Sequence, residues 1–347
     1  MKAIVIHEFG PPDVLTYEEV PDPPPRLGEV RIRIHAATVN RVLDVSLRAG
    51  KEARRNPVLP LIPGVDCAGI VDAVGPGVTG WKVGQRVAAA GTMPLEPVAE
   101  DCADYRGPKG MMGIKRPGGF AELVCVPACM CVAVPERLDF HDAAVVMRHA
   151  PTAYNLLVNT AQLQRGETVL IMGAGGNLGR TGIQIARNLI GAKVIAAAGS
   201  DDRVQQGIDL GADFGINYNK QDIQAEAIKL NGGKGVDVLY DNIANPKVLP
   251  QAFMALGFRG RLVTAGAHGG PNVTINFSHL YHNQIRIIGQ PGHHPPDLPK
   301  CFAAAAEGKI KVQIEKLLPL SRAAEAHRLM ESGEVTGKIV LDPTLDR

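Results

Sequence analysis

Between residues 173 and 179 the chain reads GAGGNLG, a G-x-x-G-x-x-G spacing with an extra glycine at Gly175. Glycines placed between an apolar strand and a helix let the backbone approach a pyrophosphate. The free N–H groups of the first helical turn then meet its charge. The spacing is a relaxed form of the dinucleotide signature G-x-G-x-x-G, and a bare strand-to-helix turn is the alternative. The flanks favour a nucleotide: VLIM at 169–172 is wholly apolar, and RTGIQIARNLIGA after the turn carries apolar residues at helical spacing. The next strand ends AAAGSDDR (196–203), with Ala198 and Gly199 where an NAD site places an acid for the ribose hydroxyls. Ser200 and Arg203 follow, and a hydroxyl with a guanidinium suits a 2′-phosphate. The expected cofactor is therefore NADPH rather than NADH. Asp201 and Asp202 argue the other way, although both fit the first turn of a helix capped by Ser200.

Metal chemistry has less support. The six cysteines (Cys67, Cys102, Cys125, Cys129, Cys131 and Cys301) include no Cys-x-x-Cys pair. The one cluster, CVPACMC at 125–131, has Cys125 and Cys131 flanking a proline in a segment of strand character. Buried free thiols are expected, and no metal site.

These residues need a scaffold. A chain of 347 residues exceeds what one core usually serves, so two domains are expected. Hydrophobic residues make up 45% and charged residues 21%, an ordinary globular balance. The formal charge is +2, and KEARR (51–55), the most basic run, reads as a solvated loop; no nucleic-acid partner is expected. The opening MKAIVIHEFG is too short in its apolar run for a signal peptide and reads as a strand. No run approaches the ~20 residues of a membrane span, so no membrane association and a cytoplasmic location are expected.

The first 130 residues alternate with period two. EVRIRIHA (29–36) sets Val30, Ile32 and Ile34 on one face and Arg31, Arg33 and His35 on the other, a half-buried strand. VPDPPPRLG (20–28) is a stiff extended connector, and 63–90 reads as short strands broken by glycine turns. From about His141 apolar strands alternate with helices, the pattern of a parallel sheet covered on both faces. The last 55 or so residues are expected to rejoin the first domain. VTINFSHLYHNQIRIIGQ (273–290) has the apolar, strand-like makeup of a sheet edge.

Taken together, IPGVDCAGIVDAVGPGVTGWKVGQRV, GGFAELVCVP, PTAYNLL, GADFGINY and the terminal GKIVL resemble the medium-chain dehydrogenase/reductases over essentially the whole chain. That resemblance implies an α/β architecture: a GroES-like β-rich catalytic domain (1–135 and 291–347) and a Rossmann doubly wound parallel-sheet domain (136–290). Zinc-dependent members carry a cysteine, a Gly-His-Glu motif and a third ligand before the Rossmann domain. Asn40, Val65 and Arg148 stand at those places, Asp66 matches the glutamate, and the structural-zinc lobe (91–119) keeps only Cys102. What remains is similar to the zinc-free, quinone oxidoreductase-like branch. NRVLDVSLRAG (40–50) resembles its asparagine-to-aspartate segment, with one residue more between Asn40 and Asp44 and with Ser46 where an aromatic is common.

The resemblance implies roles residue by residue. Asn40 and Thr152 would lie near the nicotinamide, and Gly175, Gly176, Asn177 and Leu178 at the pyrophosphate. Ser200, Arg203 and Tyr218 would meet the 2′-phosphate, while Asn242, Ala265, Gly266 and Ala267 line the cofactor channel. Asn40, Asp44, Arg148 and His149 are the catalytic candidates, with Arg41 beside them; GHHPPD (292–297) is a cleft loop or simply solvated. The expected reaction is hydride transfer from NADPH to a quinone or an enone-type alkene, acceptors whose developing charge delocalises without a Lewis acid. Rival readings are a dehydrogenase of alcohols or CoA-linked substrates and a non-enzymatic NADPH-binding protein. A homodimer or homotetramer is expected.

Overall fold

The computed structural model describes residues 1–347 apart from 53, 54, 103, 293, 294, 336 and 347. The chain forms two compact units, Met1–Arg148 with Val312–Arg347, and His149–Lys311. The expected joins were at 135/136 and 290/291. The first division falls inside the helix Phe140–Tyr154.

The first unit is built on a seven-stranded sheet. Its longest strand, Glu29–Thr38, pairs antiparallel with Asp66–Val74 and Leu123–Pro127. The period-two reading holds here: Val30, Ile32 and Ile34 are buried, while Arg31 and Arg33 face outward and share Asp72. The C-terminal strand Lys338–Asp342 pairs antiparallel with the end of Glu29–Thr38 and parallel with Ile314–Pro319. Val312–Arg347 thus rejoins the first 148 residues, because its strand supplies the edge that Ala37 and Thr38 would otherwise leave unpaired, whereas 291–311, also expected there, belong to the second unit.

The second unit is a six-stranded parallel sheet in the order Phe214–Asn217, Lys193–Ala198, Thr168–Met172, Val236–Tyr240, Leu256–Thr264, Arg286–Gly289. In chain order that is 3-2-1-4-5-6, the Rossmann arrangement, and the order reverses at Thr168–Met172. Leu170, Ile195, Leu239 and Phe253 fill the core, each contributing roughly 1.5–3 kcal/mol by leaving water. Among the described residues no helix is long and apolar enough to cross a membrane.

Two expectations need correction. Only Arg286–Gly289 of the 273–290 stretch is a strand. Phe277–His282 is a helix, because the Asn276 side chain accepts from His279 N (3.0 Å) and starts one. Nor are all six cysteines thiols: Cys102 and Cys129 form a disulfide, their Cα atoms 5.9 Å apart across 27 residues. The lobe after Gly91 folds back on the 123–131 segment, which local patterning could not show. Cys67 and Cys301 are buried thiols, and Cys125 and Cys131 are half-buried ones.

Candidate functional site

In the second unit the reversal of strand order leaves a crevice at the carboxyl ends of Thr168–Met172 and Val236–Tyr240, where α/β sheets bind their ligands. The glycine turn leaves the first strand there. Gly173 is left-handed (φ 68°), and Gly176 sits at the start of the helix Asn177–Gln184. A Cβ on Gly179 would stand 2.3 Å from the Gly173 carbonyl oxygen, so helix and turn pack too closely for any side chain. Asn177 and Leu178 are half-buried in the first turn, and the Leu178 carbonyl accepts from the Tyr240 hydroxyl (3.2 Å).

A Cβ on Gly175 would meet the stem of Arg203 at 2.7 Å, so that side chain lies across the turn. Tyr218 packs on Gly199, its ring and hydroxyl 3.2 Å from where a Cβ would stand. Burial raises the Tyr218 phenol above its usual range, against the opposing field of Arg203. Ser200 occupies the N-cap position of Asp201–Asp209, but its side chain makes no cap hydrogen bond. This corrects the expected cap and leaves the hydroxyl available to a ligand. Asp201 is engaged by Asn217 Nδ2 (2.6 Å) and Lys220 Nζ (2.5 Å), which offsets one of the two acids that argued against a phosphate; the other, Asp202, is exposed. Arg203 is exposed and has no ion pair among the described residues.

Across the crevice, Asn242 Oδ1 accepts from Ala265 N (2.9 Å), whereas its buried Nδ2 has no acceptor among the described residues. Ala265 and Gly266 are half-buried and Ala267 is exposed. Asp241, which sequence reasoning passed over, is buried beside Asn242 with Oδ1 unpartnered among the described residues, and burial raises its carboxyl. An orphaned amide and a glycine cradle under a free guanidinium fit a dinucleotide phosphate. Thr152 and His149 lie half-buried on Phe140–Tyr154. His293 and His294 of GHHPPD, like part of KEARR, are outside the described residues.

The first unit holds a buried polar cluster. The Asn40 side chain donates to Thr38 Oγ1 and Asp66 Oδ2 (3.1 Å each) and accepts from Lys338 Nζ (2.9 Å). Asp66 also accepts from Thr38 N and Oγ1 (2.7 Å each). Asn40 N donates to Asp44 Oδ2 (2.8 Å), leaving Asp44 Oδ1 buried without a partner among the described residues. The extra residue between Asn40 and Asp44 is absorbed in a π-helical turn, Arg41–Val45, in which Val45 N reaches the Asn40 carbonyl (3.2 Å). Such turns accommodate one inserted residue and recur at functional sites.

Burial, with Asp66 nearby, pushes the Asp44 carboxyl up to about 7. Burial pulls the Lys338 ammonium down to about 8, against the attraction of Asp66 and Asp44. Arg148 is lowered by desolvation; it is half-buried within the field of both acids and makes no ion pair among the described residues. Lys338 was missed as a site residue. GKIVL drew notice as a motif, and a lysine inside an apolar terminal strand was the available signal.

The sequence matches the alcohol dehydrogenase GroES-like domain over residues 26–136 and the zinc-binding dehydrogenase family over 178–307. It is 30% identical to the quinone oxidoreductase of Homo sapiens, covering 98% of this chain and 97% of that one. It is 32% identical to the 2-haloacrylate reductase of a Burkholderia species, over 98% of both. A solved structure of an NAD-dependent alcohol dehydrogenase superposes with a TM-score of 0.88 at 36% identity, covering 99% of each chain. The chain belongs to the medium-chain dehydrogenase/reductase superfamily, in its quinone oxidoreductase-like branch. It is an oxidoreductase of a family that uses a nicotinamide cofactor.

Proposed function

We propose that this enzyme is a zinc-independent, NADPH-dependent reductase of quinones or activated, enone-type alkenes. The observation that carries the reading is the donor set around Asn40. An amide, an aliphatic group and a guanidinium (Asn40, Val65 and Arg148) stand where zinc dehydrogenases place their ligands, and none is an ordinary zinc ligand. The buried Lys338 ammonium points at the same amide. Two cationic groups beside two carboxylates do not fit a zinc ion.

Bound NADPH would supply the hydride. The turn at Gly175, Gly176, Asn177 and Leu178 would hold the pyrophosphate, Ser200, Arg203 and Tyr218 the 2′-phosphate, and Asn242 with Ala265, Gly266 and Ala267 the rest of the dinucleotide. Asn40 and Thr152 would flank the nicotinamide. Arg148 offers N–H donors to an acceptor oxygen as charge develops on it. Asp44, poised near neutrality, would give the proton that the reduced product takes up and be reprotonated from water. Lys338 and Asp66 lock the Asn40 amide from both ends. His149 remains a candidate donor through its place one residue after Arg148.

The test is NADPH oxidation over a panel of quinones, enones, acrylates and alcohols, with and without a chelator. Chelator-insensitive turnover of conjugated acceptors is expected. Alcohol turnover stimulated by zinc would replace this reading with a dehydrogenase, and tight NADPH binding without oxidation would replace it with a binding protein. The same reading includes a cytoplasmic location and a homodimer or homotetramer formed through the outermost strand Arg286–Gly289. Exposed Ile287, Phe277 and Tyr281 support that assembly, which light scattering would report.

A further inference from the structure

The first unit contains a cavity of about 510 Å³ that shares no residue with the Asn40 cluster. One wall is the rigid connector with Pro21, Pro23 and Pro24; the other is Leu95 and Val124. A neighbouring hollow of about 340 Å³ continues it past Ile62 and Pro117. The volume lies within the range of small-molecule sites, and the prolines make the walls stiff before any ligand arrives.

Its charges do not balance. Arg26, Lys115 and Arg116 line it against a single acid, Glu29. Arg116 is buried and bonded to Glu29 and the Pro94 carbonyl, while Arg26 Nη2 reaches Glu29 Oε1 at 3.0 Å. Burial alone would raise the Glu29 carboxyl, but the two guanidiniums hold it below the usual range, so it is ionised. One carboxylate therefore serves two guanidiniums. Lys115, half-buried, has no anionic partner among the described residues. An uncompensated ammonium at an apolar, partly desolvated wall favours an anion with an apolar body.

We propose that this cavity is a second ligand site, which takes a small apolar monocarboxylate with its carboxylate on Lys115 and its apolar body against the prolines. Every wall belongs to the unit Met1–Arg148 with Val312–Arg347. Occupancy is therefore independent of the glycine turn, and the inference stands whether or not the proposed reaction does.

Calorimetric titration of the full-length protein with 1-naphthoate, 1-naphthamide and octanoate tests this, with and without saturating NADPH. One carboxylate should bind with unchanged affinity in the presence of NADPH. The neutral amide should bind at least about tenfold more weakly. Naphthoate against octanoate tells an aryl from a flexible acyl body, and either one binding in this way supports the site. Lys115→Glu should weaken the carboxylate at least about tenfold while NADPH affinity is retained, and Lys115→Met serves if the reversed charge impairs folding. Failure of both carboxylates to bind, displacement by NADPH, or undiminished binding to the Lys115 variants overturns the proposal.

Discussion

Asp44→Asn should make the protein more stable at neutral pH, although Asp44 sits at the centre of the proposed site. The Asp44 carboxyl is raised from 3.8 to about 7, chiefly by burial and then by Asp66. An acid whose folded pKa is raised binds more protons folded than unfolded between those values. Stability is therefore lost as pH climbs from about 4 to about 7. Three units at 1.36 kcal/mol each put the full loss at about 4 kcal/mol, without a screening discount because the group is wholly buried. Asparagine carries no such penalty, and its oxygen can still accept from Asn40 N. Its N–H2 group would stand where Oδ1 now lacks a partner, at a cost of about 1–2 kcal/mol. The variant should be equal or slightly weaker at about pH 5 and stronger by about 2–3 kcal/mol at about pH 8. Urea unfolding of both proteins across that range measures the difference. A gap that does not change with pH, or a variant weaker at about pH 8, would refute the reasoning. Turnover of the variant should fall at neutral pH, since it has no proton to give. A buried acid kept at such a cost to stability is the usual mark of a functional site.

Other outcomes follow from the geometry. Arg203→Ala should raise the NADPH dissociation constant about tenfold or more and leave that of NADH within about twofold; equal losses for both would remove Arg203 from the 2′-phosphate. Reduction of Cys102–Cys129, which closes a loop of 27 residues, should cost about 3 kcal/mol in urea unfolding. Cys102→Ser should show that loss already and no longer respond to reductant. His141 bonds Asp342 and Asp139 at 2.8 Å each, and the Asp342 bond foremost raises its pKa against the pull of burial. Its contribution is present in full below about pH 6.5 and lost as pH rises through the higher folded value. His141→Gln should cost about 1 kcal/mol at about pH 6, discounted for exposure, and little at about pH 9. A deficit that grew with pH would reverse that assignment.

The alternation of strand and helix in the second unit was legible because each element announces itself in a short window, whereas the order of the strands came only with the fold. The apolar run at 169–172, the glycines at 173–179 and the terminal GKIVL each carry local information. Asn40 and Asp44 were legible as a pair for the same reason, being four residues apart. The π-helical turn that reconciles their spacing was not, since it buries Leu43 and Val45 in two different clusters that form only when the chain has folded. The stretch at 273–290 shows the limit of composition, for part of it, Phe277–His282, is a helix capped by Asn276.

Sequence alone therefore determined the fold class and the glycine turn, because backbone preference and hydrophobic period act over a few residues. Tertiary structure decided which charges meet. Lys338 reaches Asn40 across 298 residues, Cys102 finds Cys129, and Lys115 stands at a proline-walled cavity with no anionic partner among the described residues. Burial and distance set the energy of a charge, and neither exists until the chain has folded.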